Sequence, residues 1–331
     1  MNADTLIIGA GVSGLHAAKL LREAGQSVLV LEKSRGLGGR AATRRWDNFP
    51  VDHGAQFFTA RSPEFTAQVA KWSARGVCAA WTRGFHQYLD GTLLPPTGEP
   101  HPRYACPAGM SALGRELAGP EPEFVRKQTR AAHVRVEETG WIITSEDGRE
   151  FRAPRLLVAT PPAQAAVLLR DSCPGVAAQL EAVRMTPSLA LVLRYPRRPL
   201  AFCGIQIPNH PVLSWIGHDT SKRPDLHPGA TILVLHASLA FSGEHYGSNE
   251  SAIVGIMLRA AGEITGENLA TPDAMFLQRW RYALADGERL TPPIIAADTP
   301  APLVAAGDAL AGGKIEGAWL SGRAAAASFR A

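Results

Sequence analysis

Apolar positions along the chain follow two rhythms. Thr5 to Ile8 is a short β-branched and aliphatic run, and Ser27 to Leu31 alternates in the same way. Between them, His16-Ala17-Ala18-Lys19-Leu20-Leu21 repeats with helical spacing, and Gly25 supplies a stop. The pattern predicts strand, helix from about Gly11 to Ala24, and strand. Helical spacing returns over Glu64 to Arg75, over Ala163 to Leu169, from about Ser248 to Ile264, and from Ile315 onward. A further helix is expected to begin at Cys106-Pro107-Ala108-Gly109-Met110-Ser111 and run to about Leu117.

Alternating segments predict the strands. Trp81 to Leu93 reads as a hairpin turning at Asp90-Gly91, followed by a proline-rich loop from Pro95 to Pro102. Ala132 to Val136, Trp141 to Thr144 and Leu156 to Ala159 read as a β-meander with turns at Thr139-Gly140 and Asp147-Gly148. Leu189 to Tyr195, Phe202 to Ile207, Val212 to Ile216 and Thr231 to Ala237 predict an antiparallel sheet with a covering helix. Phe276 to Ala283 leads back, and Leu303 to Ala306 ends in Gly307-Asp308. The first domain is therefore expected to be discontinuous, built from both chain ends and the meander.

The first turn carries chemistry. In Gly9-Ala10-Gly11-Val12-Ser13-Gly14, Gly9 permits the tight turn, Gly11 lets backbone approach a pyrophosphate, and Gly14 lets the helix pack on the strand. The helix aims its N–H groups and the positive end of its dipole at phosphate. Glu32, closing the second strand, stands where an acid bonds ribose hydroxyls. Lys33 and a second glycine-rich loop follow, with Gly38, Gly39 and Arg40 suited to close approach and to phosphate or a ring edge. Gly54 suggests another close approach, and Gly54, Ala55 and Gln56 are candidate cofactor contacts. Thr160 is a short residue where a strand ends and a helix begins, the place α/β folds put ligands.

Composition narrows the class. A chain of 331 residues with 46% hydrophobic and 19% charged side chains is globular and long enough for two domains. The net charge of +4 is spread without a dense basic block, which argues against nucleic-acid binding. Cys78, Cys106, Cys173 and Cys203 are widely spaced, and the histidines form no HExxH, so reduced thiols and no metal are expected. No secretory signal and no membrane-length apolar run is visible, so a cytoplasmic protein is expected.

Three separated motifs in the right order resemble the flavin-binding signature of the flavin amine oxidase superfamily. They are Gly9 to Gly14 with Glu32, the Arg35-x-Gly-x-Gly39-Arg40 loop, and Gly307-Asp308 with Glu316-Gly317-Ala318. Within it the chain most resembles the bacterial renalases over nearly its full length. The segments that carry this are Asp52-x-Gly54-Ala55-Gln56-Phe57-Phe58-Thr59, Pro107 to Ser111, Asp219-x-Ser221-Lys222-Arg223, Leu233 to His236 and Arg279-Trp280-Arg281-Tyr282.

The resemblance implies an α/β fold: a discontinuous Rossmann-like FAD-binding domain with a β-meander (1–62, 104–185 and 275–331) and an α+β substrate domain with an antiparallel sheet (63–103 and 186–274). It implies that Asp308 bonds the ribityl chain and that backbone N–H groups at Gly317 and Ala318 face the pyrimidine end of the flavin. There a helix dipole stabilises negative charge. FAD is expected to be noncovalent, since covalent relatives use a cysteine near the C-terminal motif and none follows Cys203.

The implied reaction is oxidation of 2- or 6-dihydronicotinamide isomers of NAD(P)H to NAD(P)⁺, with dioxygen reduced to hydrogen peroxide, as metabolite repair. Candidate substrate-site residues are Gln56 for a carboxamide, His236, and Trp280 with Tyr282 on one strand face. Lys222 and Arg223 read as a solvated turn or as a contact to a dinucleotide phosphate. The competing readings are an amine oxidase or desaturase, whose hallmark would be a lysine holding a water at the flavin, and a non-catalytic flavin-binding protein. The oligomeric state is not legible.

Overall fold

The computed structural model describes residues 3–47, 49–120, 122–138, 140–226, 229–286 and 289–329. The chain forms two compact units. One contains 1–42, 111–185 and 285–331; the other contains 43–110 and 186–284.

The nucleotide-type unit is built on a six-stranded sheet. Its order is Ile294–Ala297, Leu303–Ala306, Arg155–Val158, Thr5–Ile8, Val28–Leu31 and Val125–Arg126. All pairs are parallel except that between Ile294–Ala297 and Leu303–Ala306. Central parallel strands are covered on both faces, so Thr5–Ile8 and Val28–Leu31 are buried at every position. Leu6, Ile8, Leu29 and Leu31 share a core with Trp141, Ile143 and Phe151 of the meander and with the helices Pro162–Leu169 and Pro174–Glu181. The helices Val12–Glu23 and Lys314–Ser328 pack on each other. A Cβ at Gly322 would stand 2.3 Å from the Ser13 carbonyl oxygen, so only glycine allows that approach.

The meander departs from expectation in its third strand. Its strands are Ala131–Glu137, Gly140–Ser145 and Glu150–Ala153. The run beginning at Leu156 instead lies inside the parallel sheet, registered against Thr5–Ile8 and Leu303–Ala306. A short, fully buried apolar run looks alike in either setting, and Pro154 between the two strands marks the switch. Thr139, half of the expected first turn, lies outside the described residues.

The sheet unit carries seven strands in the order Ala274–Asp286, Arg184–Pro196, Ala230–Ala237, Leu213–His218, Gly204–Gln206, His86–Leu89 and Thr92–Leu94. From Arg184–Pro196 to Thr92–Leu94 the pairing is antiparallel apart from Gly204–Gln206 against His86–Leu89, which is parallel. One face, with Leu191, Leu193, Leu233 and Leu235, packs on the helix Glu250–Thr265 through Ile253, Met257 and Ala261. That helix is capped by the Asn249 side chain and ends at Gly266 with φ +69°. The opposite face, with Val192, Ile232 and Val234, receives Val51 of the hairpin Thr43–Trp46 and Phe49–Asp52.

The unit boundaries differ from those expected. Residues 43–62, 104–110 and 275–284, expected in the nucleotide domain, belong to the sheet unit. The hairpin packs on its sheet, Arg103–Ala105 pairs with Ala79–Thr82, and Ala274–Asp286 is its edge strand. These are long-range pairings that no local periodicity announces. Among the described residues, no helix is long and apolar enough to cross a membrane.

Candidate active site

Two glycine loops meet at the carboxyl ends of the parallel strands. Gly38 N–H donates to the Ala10 carbonyl at 2.8 Å, and Gly11 bridges Gly38. A Cβ at Gly39 would stand 3.1 Å from Gly11 Cα. Gly9 holds φ +106°, and a Cβ there would stand 2.8 Å from the Ala159 carbonyl oxygen. At Gly14 a Cβ would stand 2.2 Å from the Gly9 carbonyl oxygen. At Gly11 it would meet nothing within 4 Å. That open space lies before a helix with no side-chain cap and no acid in its first turn, the electrostatics a pyrophosphate needs.

Glu32 is buried, and both carboxylate oxygens accept backbone N–H groups: Oε2 from Ala10 at 2.8 Å and Oε1 from Ser34 at 2.7 Å. A carboxylate has about four acceptor positions, so this orients the acid and leaves capacity for ribose hydroxyls. Lys33 donates to Gln164 at 3.3 Å and lines a surface cavity of about 550 Å³ with Ser34, Arg35, Gln128 and Arg130. The buried Thr160 hydroxyl has no partner among the described residues, and its methyl group packs beside Gly9.

The C-terminal motif joins the second loop. Arg40 forms an ion pair with Asp308. Gly313, with φ +78°, precedes the last helix without a side-chain cap. The N–H groups that point out of this helix start belong to its first turn, with Lys314 and Ile315. Gly317 and Ala318 lie one turn further in, where carbonyls four residues earlier take up their N–H groups; this corrects the expectation for them. Gly317 serves packing, since a Cβ would stand 2.8 Å from the Ala311 carbonyl oxygen. Glu316 falls in the first turn.

A second constellation lies wholly within the sheet unit. Asp52, Asp219, Lys222 and Arg223 form a buried quartet, with side-chain exposure of 0%, 0%, 0% and 2%. Arg223 bonds Asp219 at 2.6 Å and Asp52 at 2.5 Å. Lys222 Nζ donates to Asp219 at 2.8 Å, Gln56 Oε1 at 3.2 Å and Asp52 at 3.3 Å. Asp52 also accepts from Thr43 at 2.7 Å and from Met110 N–H at 2.8 Å. Burial alone would raise the Asp52 carboxyl, but Lys222 and Arg223 outweigh it and hold the group below its ordinary value.

The quartet overturns the expectation of a solvated turn for Lys222 and Arg223, whose side chains are buried. The Gln56 amide nitrogen donates to the Asp52 and Gly54 carbonyls at 2.7 and 3.1 Å, and its oxygen takes the Lys222 bond, so the side chain braces the loop that bears Gly54 and Ala55. Gly54 and Ala55 sit in the sheet unit, half-buried.

His236 lies on the face opposite the covering helix, in register with Ala190 and Trp215. His53, which sequence reasoning did not single out, stacks on Trp280 at 5.4 Å between ring centres and 13° between planes, and Trp280 Nε1 donates to the His53 carbonyl at 2.9 Å. Burial pushes both histidines down to about 4, with Lys222 and His53 adding to the effect at His236 and Asp52 partly offsetting it at His53. Both rings are therefore neutral at pH 7. Tyr282 is half-buried two residues beyond Trp280, with Arg281 over its ring at 5.6 Å.

The fold and the glycine cradle define a two-unit flavoprotein of the Rossmann type. Residues 7–72 match the NAD(P)-binding Rossmann-like domain, and residues 75–328 match the flavin containing amine oxidoreductase family. The chain belongs to that family. It is 33% identical over 95 residues to (S)-6-hydroxynicotine oxidase of Paenarthrobacter nicotinovorans, covering 28% of this chain and 22% of that enzyme. It is 51% identical over 55 residues to flavin-containing amine oxidase A of Sus scrofa, covering 16% and 10%. The alignments thus span under a quarter of those relatives. Among solved structures, putrescine oxidase bound to putrescine is similar in fold, with a TM-score of 0.75 at 16% identity over 100% of this chain and 99% of that one. Cyclohexylamine oxidase of Brevibacterium oxydans IH-35A has a TM-score of 0.72 at 14% identity over 99% and 98%.

The residues present fit FAD: open space at Gly11, the orphaned Thr160 hydroxyl and a pre-oriented Glu32 suit a pyrophosphate and ribose. Gly9, Gly11, Gly14, Glu32, Gly38, Gly39, Arg40 and Asp308 would hold it. Bound flavin supplies a two-electron acceptor for hydride.

Proposed function

We propose that the chain is an FAD-dependent oxidase whose donor is an isomer of NAD(P)H with an uncharged dihydronicotinamide ring, oxidised at the 2- or 6-position to NAD(P)⁺, with dioxygen as the final acceptor. Lys222 carries the reading. Its ammonium has three acceptors, Asp52 and Asp219 of the quartet and the Gln56 side-chain oxygen, so it is not disposed to hold a water for amine oxidation. Asp52 and Asp219 are each committed to Lys222 and Arg223, so neither offers a spare negative charge to a substrate ammonium. The sheet unit would supply the substrate contacts, with neutral His236 and the Trp280 and Tyr282 strand among them.

A second reading is oxidation of a small amine. The stacked His53 and Trp280 rings favour it as an aromatic wall, as do the names of the relatives. Anaerobic mixing of the yellow protein with 6-dihydro-NAD, 2-dihydro-NAD, ordinary NADH and a panel of amines separates the two. Rapid bleaching of the flavin band by the isomers alone is expected; bleaching by amines alone would replace the first reading with the second.

Noncovalent FAD is part of the proposal. In the nucleotide-type unit the described cysteine is Cys173, which is buried in the core beside Ala177 and Leu180. Acid precipitation is expected to leave the yellow colour in the supernatant. Colour that stays with the pellet would show a covalent link.

A further inference from the structure

In the nucleotide-type unit, the pairing of Val28–Leu31 with Val125–Arg126 brings together two basic segments that lie far apart in the sequence. Lys33-Ser34-Arg35 follows the first strand, and Lys127-Gln128-Thr129-Arg130 follows the second. Backbone bonds hold the segments side by side. The Gln128 N–H donates to the Ser34 carbonyl at 3.2 Å, and the Thr129 N–H to the Glu32 carbonyl at 2.9 Å. Both segments line the surface cavity of about 550 Å³, a volume typical of small-molecule sites. The acids that line it are already matched: Glu146 pairs with Arg130 at 3.0 Å, and Asp147 with Arg149 at 2.6 Å. Lys33, Arg35 and Lys127 have no carboxylate partner among the described residues, and the Lys33 ammonium donates to the neutral Gln164 amide at 3.3 Å. Like charges held this close repel unless an anion joins them.

We propose that this cavity binds a small anion carrying more than one phosphate group, at a site separate from the flavin cradle. The Lys33 ammonium and Arg35 guanidinium supply the charge, and the Ser34 hydroxyl and Gln128 amide add neutral donors beside them. A phosphate offers three oxygens to such a mixed set, whereas one guanidinium fork already fills a carboxylate. Among the described residues no aromatic ring lines the cavity, so it lacks the stacking platform that a nucleic-acid strand uses. Glu32 stands between cavity and cradle. One of its carboxylate oxygens accepts from Ala10 in the first glycine loop, the other from Ser34. No glycine of either loop is among the residues that line the cavity. The site does not depend on which donor the enzyme oxidises.

The test titrates inorganic pyrophosphate into the FAD-loaded enzyme at low ionic strength. Binding is followed by calorimetry, by the flavin absorbance and by backbone ¹H–¹⁵N spectra. Saturable binding at one site is expected, with amide shifts centred on 33–35 and 127–130 and a flavin spectrum that stays that of bound cofactor. Lys33→Ala and Arg35→Ala, each measured at saturating FAD, should weaken pyrophosphate about tenfold, and Arg35→Lys, which keeps the charge, about threefold or less. Lys71→Ala, exposed on the helix Pro63–Ala74, is the control and should stay within about twofold of wild type. The wild-type titration needs no variant to fold. Absence of saturable binding, shifts scattered over the surface, or an equal loss in Lys71→Ala would overturn the inference. So would release of flavin by pyrophosphate, or binding to apoprotein that FAD abolishes, because either would make the cavity part of the flavin cradle.

Discussion

An Asp52→Ala variant is expected to lose about 3–5 kcal/mol of stability, the usual result of stripping one partner from a buried ion pair. Asp52 is fully buried and holds four groups at once: Thr43, the Met110 N–H, Lys222 and Arg223. Removing it leaves two cations sharing Asp219 and tears the hairpin from the turn Asp219–Lys222. The quartet is not thereby a source of net stability, because burying four charges has its own desolvation cost. The double variant Asp52→Asn with Lys222→Met removes one charge of each sign. It should recover about 1–2 kcal/mol of the loss, since groups in one network couple by that order. Urea unfolding followed by tryptophan fluorescence checks both values. A single variant within about 0.5 kcal/mol of wild type would mean that water reaches the cluster. The pH sign follows from the lowered Asp52 value. Its contribution is present above the ordinary carboxylate range and is lost as pH falls through the folded value.

Short-range chemistry was legible in the chain, and long-range pairing was not. Gly9, Gly11, Gly14 and Glu32 lie within one strand–helix–strand segment, so spacing alone orders them. Arg40 and Asp308 were both singled out, but nothing in their local context says that they pair with each other. Lys222 and Arg223 looked like a solvated turn because adjacent basic residues usually are one; the acids that bury them include Asp52, far away in the sequence. His53 was passed over for the same reason. Its only local signal was a histidine between Asp52 and Gly54 in a loop, and its role depends on Trp280 and on the face that carries His236. The run at Leu156 shows the remaining limit: burial on both faces erases the alternation that would have told a meander strand from a parallel one.

The second large effect is expected at Gly11, and the neighbouring glycine supplies its control. Gly14→Val places a Cβ about where the Gly9 carbonyl stands, 2.2 Å away, and backbone cannot give that much; the variant should be insoluble or unfolded. Gly11 has φ −73° and ψ 176°, extended backbone open to any residue, and a Cβ there meets nothing within 4 Å. Gly11→Val should therefore fold, with a melting temperature near that of wild-type apoprotein. What it fills is the space in front of the helix start, where charge-assisted N–H bonds to phosphate are each worth about 1.5–3 kcal/mol. Losing one or two of them lowers FAD affinity about 100-fold, or about 2.7 kcal/mol. The variant should purify nearly colourless and take up FAD only at high concentration. Absorbance of the purified protein, with FAD titration into apoprotein, measures this directly. A Gly11→Val protein as yellow as wild type would show that the cradle between the two glycine loops does not receive the pyrophosphate.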